Sequence, residues 1–167
     1  MALTAYYLKI DTIKGESQAE GFTEQMQIES WSFGSTNTGS AGQGTGMGTG
    51  KAHLQDYHFV VQNGSASPQL FLASVKGNHI PQAILSCQKT GGDGTPYTYL
   101  KVTFADLVIS SFQTGGSASG GSLPMEQVSF NFTKISMEYF QQDTKGGGVT
   151  RTNTVSYDTK AVKGEGA

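Results

Sequence analysis

Apolar residues alternate with polar ones along most of this chain, and the period is two. Tyr6, Leu8 and Ile10 share one face of a first predicted strand, with Tyr7 and Lys9 on the other. Lys14 to Gln25 is a polar loop. Met26 to Phe33 again reads as a strand, but its phase changes part-way, because Met26 and Ile28 lie on one face and Trp31 and Phe33 on the other. A bulge, or burial on both sides, accounts for such a slip. His53 to Val61 is the next strand. The stretch SPQLFLASVKG carries helix signals: Ser67 as N-cap, Pro68 at the first helical position, Gly77 just past the end, and Leu70, Phe71 and Val75 as the buried face. Beyond it come Gln82 to Lys89, Tyr97 to Phe112 and Glu126 to Phe140, joined by Gly-rich connections that favour antiparallel pairing. A loop at Lys145 to Thr150 precedes a short closing strand at Val155 to Val162, within a tail read as irregular from about 142 to 167. The expectation is a single mainly β domain over 1–167, a small antiparallel β-barrel or sandwich with one short flanking α-helix.

Two stretches ask for more than a fold class. Along Tyr97 to Phe112, one face holds Leu100, Val102, Phe104, Val108 and Phe112, and the other holds Tyr97, Tyr99, Leu107 and Ile109. A strand with one face in water should have a more polar second face. Tyr97, Tyr99, Leu107 and Ile109 are therefore candidates for burial against another subunit, the alternative being cover from the helix or a loop of the same chain. The second stretch, GSTNTGSAGQGTGMGTGK (Gly34 to Lys51), looks at first like a phosphate loop. It is not one: G-x-x-x-x-G-K-[ST] aligned on Gly50-Lys51 has Thr45 at the first glycine and Ala52 at the hydroxyl position. Lys51 also heads a predicted strand and not a helix, so no helix N-terminus is aimed at a phosphate. Its length and small side chains suggest an extended arm, whose backbone can pass close to another surface. Thr38, Gly42, Gly44, Gly46, Met47 and Gly48 are the candidates for such a contact.

Composition narrows the chemistry. The 23 glycines and only 14% charged residues fit turns and β structure, and a net charge of −2 gives no electrostatic footprint for nucleic acid. No apolar run approaches the roughly 20 residues needed for a helical membrane span. The opening MALTAYYLKIDTIKG has neither a basic n-region nor an apolar h-region, and the one cysteine, Cys87, fits synthesis in a reducing compartment. His53 and His58 fall on opposite faces of one predicted strand and cannot chelate a common ion there. No G-x-S-x-G elbow appears, and Cys87 reads as a small buried hydrophobe. The residues imply no enzyme, no cofactor and no metal. They leave open an oligomer that works through its surfaces and a small-ligand- or carbohydrate-binding β-barrel.

Several stretches in the same order carry a family resemblance: LKIDTIKGES (Leu8 to Ser17), SWSFG (Ser30 to Gly34), the Gly-rich loop ending in Gly-Lys, SPQLFLA (Ser67 to Ala73), GNHIPQA (Gly77 to Ala83), LVISSFQTGGS (Leu107 to Ser117) and MEQVSFNF (Met125 to Phe132). From residue 6 to about 140 the chain resembles the haemolysin-coregulated proteins, Hcp, the tube subunits of bacterial type VI secretion systems. The resemblance implies a phage tail-tube-like β-barrel forming hexameric rings that stack into a hollow tube. It also implies a contractile sheath around the tube, a spike protein of the VgrG type at its tip, and effector proteins carried in the lumen. Assembly would be cytoplasmic, with secretion that needs no cleaved signal peptide. Ser30 and Ser32, flanking Trp31, become candidate lumen-facing residues with Trp31 in the core, and Ser117 a candidate for the rim or lumen. The arm at 34–51 would be mobile in a single ring and ordered in a stack.

Overall fold

Ten strands and one helix make up the computed structural model, which describes residues 3–39, 52–144 and 148–166. The strands are β1 (Thr4–Ile10), β2 (Met26–Ser32), β3 (Ser35–Asn37), β4 (Ala52–Leu54), β5 (Tyr57–Gln62), β6 (Ile80–Thr90), β7 (Pro96–Gly115), β8 (Met125–Gln142), β9 (Val149–Asp158) and β10 (Lys163–Gly166). The helix α1 (Ser67–Lys76) follows β5. Every pairing is antiparallel, and β8 pairs with both β5 and β7. That double pairing closes the ring of strands β8-β5-β2-β1-β6-β7 into a barrel. Past Thr133 the far half of β8 leaves β5 and takes β9 as its neighbour, and β10 completes an outer hairpin.

Two phase slips set which side chains the barrel encloses. In β2, Ile28 pairs with Val61 and Ser30 with Val60, so Glu29 is the extra residue of a bulge. Met26 and Ile28 point inward before it, and Trp31 and Phe33 pack against the core after it. Of the two explanations the sequence pattern allowed, a bulge or burial on both sides, the structure has the bulge. The second slip lies at Asp106, whose φ of 52° places a non-glycine residue in the left-handed region. Val102 and Phe104 are fully buried, and beyond Asp106 so are Leu107 and Ile109. The pairing register survives, with Ala105 opposite Lys134 and Leu107 opposite Phe132, because β8 slips at the same place. Thr133 Oγ1 donates to the Asp106 carboxylate at 3.0 Å, and His79 and Lys160 meet the same carboxylate at 2.9 and 3.1 Å.

The core is aromatic at its centre. Tyr57 stacks on Phe130 at 4.8 Å and tilts against Phe104 at 4.9 Å, with Phe132 on the far side of Phe104 at 4.9 Å. Around it Leu8, Leu85, Val102, Leu107 and Val128 lose essentially all exposure. At about 1.5–3 kcal/mol for each fully buried large apolar side chain, this cluster dominates the driving force for folding.

Four sequence expectations change. The helix has Ala66, not Ser67, at its N-cap, and the Ser67 hydroxyl instead accepts from the Gly64 N–H at 3.0 Å. Its buried stripe is Ser67, Leu70 and Ala73, while Phe71 and Val75 are exposed; small residues let it approach β7 closely. The C-terminal segment is not irregular but forms the β9–β10 hairpin, held to β8 by backbone pairing. His53 to Val61 is two strands, and β4 pairs with β3, which opens the stretch read as an extended arm. Gly77 stops the helix as expected, with φ 63° and its N–H on the Ala73 carbonyl.

Candidate functional site

The barrel wall formed by β2, β5, β8 and β7 turns one side to the core and the other outward. Residues directly opposite in an antiparallel pair share a face. Ser32 pairs with His58, His58 with Ser129, and Ser129 with Ser111, so one outward row crosses four strands as Ser32, His58, Ser129 and Ser111. The next row is Ser30, Val60, Gln127 and Gln113. These two rows hold no charged residue and one half-buried aliphatic, Val60.

The serines are organised by a third irregularity. Ile109 pairs with Phe130 and Ser111 with Ser129, leaving Ser110 bulged out of β7. Its hydroxyl lies 2.8 Å from the Ser129 hydroxyl and donates to Asp56 at 2.7 Å. Ser129, only 3% exposed, is thereby covered on an outward face. Ser30 and Ser32 were candidates from the sequence, whereas Ser110, Ser111 and Ser129 were not. The doublet Ser110-Ser111, interrupting the alternation after Ile109, was the available signal.

The other sequence candidates scatter. Ser117 is exposed in the β7–β8 connection, 2.9 Å from the Ser119 hydroxyl, and off both rows. Leu107 and Ile109 are inside the barrel, at 0% and 2% exposure, so the proposed subunit-facing set loses them. The slip at Asp106 is the physical reason, since it returns both to the core face. Tyr97 and Tyr99 stay half-buried at the surface, with the Lys89 ammonium 5.7 and 5.0 Å from their ring centres. Thr38 is exposed just after β3, whereas Gly42, Gly44, Gly46, Met47 and Gly48 lie outside the described residues.

No group of His, Cys, Asp and Glu suited to a metal is found among the described residues. Burial pushes the Cys87 thiol up to about 12, although the Tyr99 hydroxyl offsets part of that, so the side chain is no nucleophile at neutral pH. Burial likewise raises the Tyr57 hydroxyl well above its ordinary value, with Cys87 adding to the effect. Among the described residues no helix is long and apolar enough to cross a membrane.

A closed barrel with this strand order, flanked by one helix, is the setting in which known proteins become informative. The family model described as "Type VI secretion system effector, Hcp" matches residues 7–139. The chain belongs to the Hcp family. It is 35% identical over 140 residues to protein hcp1 of Pseudomonas aeruginosa, a match covering 84% of this chain and 85% of that one. Its structure resembles that of Hcp1 from Salmonella typhimurium with a TM-score of 0.78 and 33% identity, covering 99% and 100% of the two chains. A type six secretion system protein at 24% identity shares the fold with a TM-score of 0.89, over 98% of this chain and 100% of that one. The Hcp chain is thus a type VI secretion component, and the matched residues span the barrel and most of β8.

Proposed function

We propose that this Hcp chain is the building block of the secretion tube: six copies close a ring, rings stack, and the wall of Ser30, Ser32, His58 and Ser111 lines the lumen. The observation that carries the proposal is that wall. Two rows across four strands without a charge or a large exposed apolar group suit a channel through which dissimilar proteins pass, because such a surface offers no strong electrostatic or hydrophobic hold on any of them. Elsewhere Phe71, Leu72 and Val75 on α1 and Tyr139 on β8 are exposed apolar side chains, of the kind that contacts between copies would bury. A closed ring repeats one heterologous contact around its axis. The partners that follow are further copies of the chain, a surrounding contractile sheath, a VgrG-type spike and effector proteins in the lumen. No catalytic role is assigned.

Size-exclusion chromatography followed by negative-stain microscopy tests the reading. Annular particles about six times the chain mass are expected. A monodisperse monomer over the micromolar range would remove the tube subunit reading.

A further inference from the structure

The turn between β5 and α1 holds a chemically labile pair. Of the chain's asparagines only Asn63 precedes a glycine. Without a Cβ on Gly64, nothing on that residue keeps its nitrogen from approaching the Asn63 side chain. The chemistry open to the pair needs no partner but water. The Gly64 nitrogen gives up its proton and bonds to Asn63 Cγ. The Cγ–Nδ2 bond then breaks, and ammonia leaves with that proton. Water opens the resulting succinimide to aspartate or isoaspartate, and the exchange of amide for carboxyl is permanent.

In this fold the groups that would react are held. The Gly64 N–H donates to the Ser67 hydroxyl at 3.0 Å. Asn63 Nδ2 donates to the same hydroxyl at 3.3 Å and to Glu126 Oε1 at 2.8 Å. Ring closure has to give up the first of these bonds, and expulsion of ammonia the other two. Glu126 depends on the amide in return. It pairs with Val61 on the core side of β8 and is 1% exposed, and Asn63 is the one hydrogen-bond partner its carboxylate has among the described residues. A carboxylate at position 63 has no N–H to offer, and it brings a second negative charge to hydrogen-bond distance from the first. The Glu16 carboxylate stands close by as well, 3.5 Å from where a Cβ on Gly64 would lie. None of the described residues lining the cleft around this turn is Lys, Arg or His. A buried carboxylate would thus meet repulsion where it now has a donor.

We propose that Asn63-Gly64 is a self-modification site guarded by the fold. The closed turn preserves the amide, and a chain whose turn opens for long enough converts Asn63 to a carboxyl that Glu126 cannot accept, which loosens the start of α1 for good. The site stands apart from the ring and lumen reading and needs no second copy.

Incubating the full chain at mildly alkaline pH, folded or unfolded in guanidinium, and mapping its peptides by mass spectrometry tests the guard. Conversion at Asn63 should be at least roughly tenfold slower in the folded chain, the factor that one or two ordinary hydrogen bonds supply. Ser67→Ala removes the acceptor that Gly64 and Asn63 share, and should raise the folded-state rate while leaving the unfolded rate in place. Equal rates in the two states, or a folded Ser67→Ala chain that converts no faster than the parent, would overturn the guard.

The consequence is read on the converted chain, refolded and separated from the parent by ion exchange, and on Asn63→Asp. The like charge of Glu126 raises the folded pKa of the new carboxyl. Stability of that kind is present below the unfolded value, about 4, and is lost as pH rises. Both chains should therefore melt close to the parent in mild acid and fall below it toward neutral pH. Adding Glu126→Gln to Asn63→Asp should remove the slope, because the Gln amide donates where Glu126 repels. Where burial keeps that double variant from folding, the pH profiles of the converted chain and of Asn63→Asp carry the test. Profiles parallel to the parent's, or a slope that survives Glu126→Gln, would overturn the conflict between the carboxyls.

Discussion

Replacing Leu107 by alanine separates a residue of the barrel's own core from one that faces a neighbour. Leu107 is fully buried, and its strand partners are Ile80 on β6, 3% exposed, and Phe132 on β8. Both neighbouring strands are hydrogen-bonded on their far sides too, β6 to β1 and the adjoining part of β8 to β9, so the site cannot collapse around the missing atoms. The transfer term is then joined by most of the cavity term, which puts the loss in the middle to upper part of the 2–5 kcal/mol range, about 3–4 kcal/mol. For a chain of this length that corresponds to roughly 6–16 °C in melting temperature. Trp31 is the only tryptophan and packs on Tyr57 at 6.4 Å, so its fluorescence follows the core during urea unfolding. The variant and parent must be compared at one chain concentration, because any association between copies would stabilise the folded subunit. Tyr97→Ala, at a half-buried surface position, should cost below about 1 kcal/mol in the same assay. If Leu107→Ala unfolded within about 0.5 kcal/mol of the parent and lost only its ability to associate, the placement of Leu107 in the core would be refuted.

Gly15→Ala should destabilise by about 1–3 kcal/mol, since an added Cβ would sit 2.5 Å from the Gln25 backbone carbonyl, and thermal melts check it. The Lys160 ammonium, then Thr133 and His79, hold the Asp106 carboxyl below its usual range. A carboxyl depressed on folding adds stability that is fully present above its unfolded pKa, near about 4, and is lost as pH falls through the lower folded value. Asp106→Asn should therefore flatten the acid limb of the stability curve below about pH 4, and an unchanged limb would show that the knot contributes nothing. Ser32→Trp, on an exposed outward position, should leave melting and ring assembly intact while reducing the effector protein retained on co-purification. Loss of rings would move Ser32 out of the lumen.

Period-two alternation revealed β1, β6 and the two long strands, and Pro68 and Gly77 bracketed α1 to within a residue. It failed where the phase moves silently. Trp31 and Phe33 advertised the slip in β2 because large apolar residues stand on both sides of it. Asp106 did not, because a polar residue between Phe104 and Leu107 reads as one more outward position. Phe71 and Val75 misled for the opposite reason: they fit helical spacing, yet a helix lying close to β7 has room inside only for Ser67, Leu70 and Ala73. β9 was illegible as a long strand because backbone pairing to β8, and not a buried apolar face, holds most of it. The Ser110 bulge was out of reach as well, since cross-strand register decides which hydroxyls meet.

The strand order also constrains how copies can meet. Barrel closure gives β1, β2, β5, β6 and β7 a neighbour on each side over part of their length and removes those edges. Among the described residues, open edges remain on β10, on the part of β9 before Val155, on the β3–β4 pair, on Ser30–Ser32 of β2, and on β7 beyond Leu107, where α1 packs alongside through Phe71 and Phe112. β10 is four residues long and carries Lys163 and Glu165, and the open part of β9 is exposed and carries Arg151. Short, charged or covered edges resist open-ended strand addition. Contact between copies is then left to side chains on closed surfaces, where the geometry of a patch fixes the angle between neighbours. An association set by such an angle can close after a definite number of copies, whereas one built on free sheet edges has no reason to stop.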